Sequence, residues 1–141
     1  MPTAIKRKLA VFKTKPFARF ARKARIRDLD LWETASQANA GLIDADLGGG
    51  VIKQRTARPG EGRSAGSRSI ILFRLNRRAV FVYGFEKKDL GNINARELET
   101  FRELAGVILG YSDAEIAKRA MDGALIEVRS PEEDKYGEKV S

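Results

Sequence analysis

The stretch SIILFRLNRRAVFVYGFEKK, Ser69 to Lys88, decides the fold. Two apolar runs, Ile70–Leu75 and Ala79–Phe85, flank Asn76-Arg77-Arg78, whose polar, turn-favouring start predicts an antiparallel hairpin. The second run is apolar at nearly every position, as expected of a strand covered on both faces. It stops at Glu86, Lys87 and Lys88. A buried strand ending in two adjacent ammonium groups predicts a rigid rim, with Lys87 aimed into a cleft and Lys88 on the opposite face.

Working outward, Val51–Ala57 (VIKQRTA) alternates as a half-exposed strand with Lys53 and Arg55 on one face. The Gly-, Pro- and Ser-rich segment from Arg58 to Ser67 is a loop that carries Arg63, and Arg68 opens the next strand. Upstream, Leu9–Phe12 suits a short strand, and Phe17, Phe20, Ala21 and Ala24 recur at helical spacing behind Pro16. Asp28 or Asp30 caps a helix that ends at Gly41. The triplet Gly48-Gly49-Gly50 makes a loop, but no Lys-Ser/Thr follows as a P-loop requires.

Downstream, Asn94 with Glu97 and Ser112 with Glu115 form two capping boxes, and Leu125–Val128 suits an edge strand. The predicted class is α+β, a small antiparallel sheet with N-terminal and C-terminal helices packed on it. Residues 1–128 form one domain in this reading, and the charged tail 129–141 is expected to be disordered.

Composition removes several chemistries. The 141 residues include no Cys and no His, so neither a thiolate nor an imidazole is available for catalysis or for zinc. Acidic residues show no metal-site spacing, and no metal or other cofactor is expected. No apolar run approaches the roughly 20 residues that span a bilayer, so no membrane role is expected. Absence of Cys suits a reducing cytoplasm.

Net charge is +8, unevenly distributed. Residues 1–27 carry ten Lys/Arg and no acid, and residues 51–88 carry ten Lys/Arg against Glu61 and Glu86. Acidic segments alternate with these blocks, which predicts a cationic face and a polyanionic partner. The acid-free start also suits a transit peptide. It has no Ser before residue 27 and carries strand and helix patterns, which favours folded structure.

The segment from Val51 to Ile93 resembles the RelE/HigB superfamily of bacterial type II toxin–antitoxin systems. Gly66-Ser67-Arg68 matches the family's Gly-Tyr-Arg-like strand entry, and Gly84-Phe85-Glu86-Lys87-Lys88 matches its Gly-Phe-x-Lys-Lys/Ser motif. Ser67 stands where an aromatic residue is common. The resemblance spans about residues 9–128 and implies a ribosome-dependent endoribonuclease that cuts mRNA and inhibits translation. It also implies a cognate antitoxin, often a helix-turn-helix DNA-binding protein.

RNA supplies its own nucleophile, the 2′-OH, so such a site needs only alignment and cations. Arg68, Lys87, Lys53 and Arg58 are the candidate catalytic residues, with Arg55, Arg63 and Lys88 as RNA contacts. Tyr83 and Phe85 are assigned to the core, and Arg77 and Arg78 to the turn. Two other readings stay open: a ParE-like non-enzymatic inhibitor of DNA gyrase, and an RNA- or ribosome-binding protein without activity.

Overall fold

The computed structural model describes residues 9–56, 66–88 and 92–132. In chain order the elements are β1 (Ala10–Thr14), α1 (Lys15–Ala24), α2 (Asp28–Asn39), β2 (Ala45–Gly48) and β3 (Val51–Thr56). There follow β4 (Ser67–Arg74), β5 (Arg78–Glu86), α3 (Ala95–Ile108), α4 (Asp113–Met121) and β6 (Leu125–Val128). The strands form one sheet in the order β2-β3-β4-β5-β1-β6.

The class is α+β, with the expected hairpin of β4 and β5 at the sheet's centre. The sheet is mixed where the sequence predicted an antiparallel one, because β1 runs parallel to β5. Hairpin chemistry governs only neighbours in sequence. β1 pairs with a strand more than 60 residues away, and no turn signal reports that direction. The strand β2 was also unforeseen. Gly48, Gly49 and Gly50 all take positive φ, between 64° and 84°, and turn β2 back onto β3.

Helix ends follow local chemistry. Thr14 Oγ1 accepts from Phe17 N–H, and Pro16 sits in the first turn of α1. Arg25 closes that helix in the left-handed region at φ 59°, and Ile26 N–H returns to Ala21 O at 2.8 Å. At the start of α2 the Asp30 carboxylate accepts from Arg27 N–H at 2.8 Å. Asp28 instead pairs with Lys13 Nζ at 2.7 Å.

Helices cover both faces. On one face Phe17 and Ala21 of α1 and Leu31, Ala35 and Ala38 of α2 pack against Ile52, Ile71 and Phe81. On the other, Ala105 and Ile108 of α3 and Ile116 of α4 pack against Val51, Ile70, Leu72, Val80 and Val82. The pairing of β4 with β5 shifts between Ile70 and Ile71, whose partners are Tyr83 and Phe81, so Val82 is a bulge. After it the parity of β5 is reversed. Tyr83 and Phe85 join the α3 side, and Gly84 turns toward α1, where a Cβ would overlap the Phe20 ring.

Arg78, assigned to the turn by sequence, opens β5 and is buried. Its guanidinium donates to Ile108 O at 2.9 Å and Tyr111 O at 3.1 Å, with Asp113 at 3.6 Å. It thus satisfies carbonyls at the C-terminal end of α3. Burial lowers its pKa, and Asp113 works in the opposite direction.

Of the tail expected from residue 129, Ser130 is buried and residues 133–141 lie outside the described residues. Among the described residues no helix is long and apolar enough to cross a membrane.

Candidate nucleic-acid interface

Residues directly opposite on neighbouring strands share a face, as do residues two apart on one strand. Three rows therefore line the α3 side of β3, β4 and β5. They are Val51–Leu72–Val80, Lys53–Ile70–Tyr83 and Arg55–Arg68–Phe85. Rows lie about 7 Å apart along a strand, and strands about 5 Å apart. From the first row to the third the chemistry changes from wholly apolar to two arginines beside an aromatic ring.

The helix α3 ends its cover part-way. Its Phe101 ring packs 5.7 Å from Tyr83, and Tyr83 lies 6.0 Å from Phe85. Asn94 caps the helix by accepting from Glu97 N–H at 2.8 Å, and Glu97 returns the bond to Asn94 N–H. Just before it, Asn92 Oδ1 accepts from Lys53 Nζ at 3.2 Å. The N-terminus of α3, where backbone N–H groups and the helix dipole favour anions, therefore lies beside Lys53.

Arg68 and Arg55 face each other across the β3–β4 ladder. Arg68 is buried, and its guanidinium donates to Gly66 O at 3.1 Å. Burial lowers its pKa most, the charge on Arg55 lowers it further, and Asp44 opposes both. Asp44 also accepts from Arg55 N–H at 2.7 Å, which ties the segment before β2 to β3. Like charges directly opposite in a sheet are destabilising, so this pair is a local cost at a place where an anion would relieve it.

The sequence-derived candidates separate into three groups. Lys53, Arg55 and Arg68 come together on one face. Arg58 and Arg63 lie outside the described residues. Lys87 and Lys88 do not extend the strand as expected: β5 ends at Glu86, and both lysines are exposed in the following turn. A turn removes the alternation that would have set them on opposite faces.

Phe85 is buried in the core cluster of this face and Tyr83 packs half-buried against it, as their assignment to the core expected, while Asn92, which holds Lys53, was not singled out by the sequence. The bulge at Val82 is what brings the two rings there, and strict alternation could not reveal it. Ser67 is fully buried on the α1/α2 side, so the aromatic residue missing at that position is not missing from this face. Among the described residues no three acidic side chains gather as a metal site.

Residues 9–128 match the family model of the RelE toxin of the RelE / RelB toxin-antitoxin system. The chain belongs to the RelE toxin family. Comparison with curated proteins returns no match. As a RelE toxin the chain has a cognate antitoxin as its partner.

Proposed function

We propose that this RelE toxin is a ribosome-dependent endoribonuclease that cuts mRNA in the cytoplasm and so inhibits translation. The observation that carries the reading is the Arg55–Arg68 pair beside Lys53, in the last rows of the α3 side of the sheet, where Arg55 is exposed and Arg68 is buried behind it. A message strand enters there with its scissile phosphate against Arg68, whose planar fork suits two phosphoryl oxygens. The 2′-oxygen bonds to phosphorus and the bond to the 5′-oxygen breaks. The hydroxyl proton passes to solvent, and the Lys53 ammonium donates one to the leaving oxygen. Arg68 and Arg55 stabilise the charge that grows on the phosphoryl oxygens. The half-buried Tyr83 offers a ring on which a neighbouring base stacks, with the buried Phe85 behind it. Lys87 and Lys88 hold the strand from the turn beyond β5, Arg58 and Arg63 add further cationic contacts, and no metal takes part. The antitoxin that silences the site is a helix-turn-helix DNA-binding protein in this reading.

The test is induced expression followed by end-group analysis of messages recovered from ribosomes. Cut messages ending in 2′,3′-cyclic phosphate or 3′-phosphate are expected. Fragments ending in 3′-hydroxyl would overturn the mechanism. Intact messages with broken DNA would move the chain to gyrase inhibition.

A further inference from the structure

The proposed reaction leaves the basic N-terminal block without a role, and α1 gives it a shape. Lys15, Arg19, Arg22 and Lys23 are exposed and recur at i, i+4, i+7 and i+8, so they share one stripe about 12 Å long. The opposite side of the helix, Phe17, Ala21 and Ala24, is buried in the core. Neighbouring cations are neutralised: Lys13 pairs with Asp28, and Arg27 with Asp30. Arg19, Arg22 and Lys23 form no ion pair among the described residues, and α1 has no acid in its first turn. The helix dipole accounts for Arg22 and Lys23 in the last turn but disfavours Lys15 at the first.

We propose that the outer face of α1 is a second phosphate-binding surface, for the backbone of a folded RNA, on the side of the sheet opposite Lys53, Arg55 and Arg68. The choice of RNA among polyanions rests on the nuclease reading. Two observations narrow the partner. A helix that lies on a membrane needs a free apolar side to insert, and that of α1 is committed to the core. The two cationic surfaces lie on opposite sides of the sheet, so a strand lying flat on the first does not at the same time lie on the second. An RNA with two walls, holding the protein between them, reaches both.

The test compares the full chain with its R19Q/R22Q/K23Q variant, after melting curves show equal stability. Binding is measured between about 50 and 300 mM salt on purified 70S ribosomes, on a single-stranded RNA 12-mer and on phosphatidylglycerol vesicles. Each lost phosphate contact lowers the log–log salt slope by about 0.7–0.9. The ribosome slope should therefore fall by about 2 to 3, with the 12-mer unaffected. An unchanged ribosome slope, an equal fall on the 12-mer, or vesicle binding that the substitutions abolish would each overturn the proposal. So would a wild-type chain that shows no salt-dependent binding to ribosomes. Steep ribosome binding with uncut messages would keep this surface and remove the nuclease reading.

Discussion

The two faces of the β3–β4–β5 sheet use the same strands and finish differently. On the α1/α2 side the apolar rows end in Gln54, Thr56, Ser67 and Ser69, all fully buried. Gln54 bridges Leu42 O and Asp44 N–H, and the Thr56 and Ser69 hydroxyls bond at 3.0 Å. On the α3 side the same strand ends carry Lys53, Arg55 and Arg68, and the helix stops short of them. Neutral groups that satisfy one another can be sealed under cover. Two guanidinium groups cannot both be sealed at similar cost: Arg68 is buried and donates to Gly66 O, while Arg55 opposite it stays exposed. What distinguishes the two ends is charge: the covered end seals only neutral side chains, the Ser67 hydroxyl even without a hydrogen-bond partner among the described residues, whereas the other end keeps the charged Arg55 exposed.

Ser69 and Arg68 are neighbours in sequence on opposite faces, which makes them the most direct pair for testing this contrast. Arg68→Ala should lower message cleavage on the order of 10²–10³, the usual effect of removing one preorganised charge-stabilising donor. Ser69→Ala should leave the rate alone and lower stability by about 1 kcal/mol, through the lost bond to Thr56. Lys87→Ala and Lys88→Ala should resemble each other and cost less than Arg68→Ala, because a turn fixes neither to a face. Single-turnover cleavage on ribosomes, with urea unfolding alongside, separates these outcomes. A large rate loss from Ser69→Ala, or from one lysine alone, would remove the assignment of chemistry to the open face.

Gly84 tests the covered face. Its backbone lies against the Phe20 ring of α1, so Gly84→Ala should cost about 1–3 kcal/mol by overpacking. Gly84→Ala with Phe20→Leu should lose less than the sum of the two single changes, measured by denaturant unfolding. Additive losses would mean that this contact does not seat α1 on the sheet. The Gly in the Gly-Phe motif thus has a packing explanation that owes nothing to catalysis.

Much of this was legible in sequence. Period-two and period-3.6 patterns placed the β4–β5 hairpin, α1, α3 and α4, and the alternation of Lys53 and Arg55 was enough to put both on one face. The failures have two causes: partners far away in the chain, and local backbone irregularities that periodicity does not encode. The parallel pairing of β1 has no local turn to announce it. The bulge at Val82 reverses the parity of β5 and puts Tyr83 and Phe85 on the α3 side, and the turn after Glu86 takes Lys87 off the strand. Arg78 looked like a turn residue because its partners, the carbonyls of Ile108 and Tyr111, lie some 30 residues downstream.

The smallest expected effect is at α4, at the Arg78 end of the sheet and far from the Arg55–Arg68 row. Ser112 Oγ accepts from Glu115 N–H at 3.1 Å, and the Glu115 carboxylate accepts from Ser112 N–H at 3.0 Å. That backbone bond lowers the pKa of Glu115 below its ordinary 4.5, with further lowering from the Ser112 side chain and from Arg119. A carboxylate with a depressed folded pKa stabilises the fold above its unfolded value, and the stabilisation disappears as pH falls through the folded pKa. Glu115→Gln keeps an acceptor oxygen and loses the charge, so it should melt slightly below wild type at pH 7. The two curves should converge as pH drops below about 4.5 toward 3. Message cleavage at pH 7 should be unchanged, because α4 covers only the closed end of its face. A melting difference that persists at pH 3 would assign the effect to packing, and a cleavage defect would mean that the two ends of the open face are coupled after all.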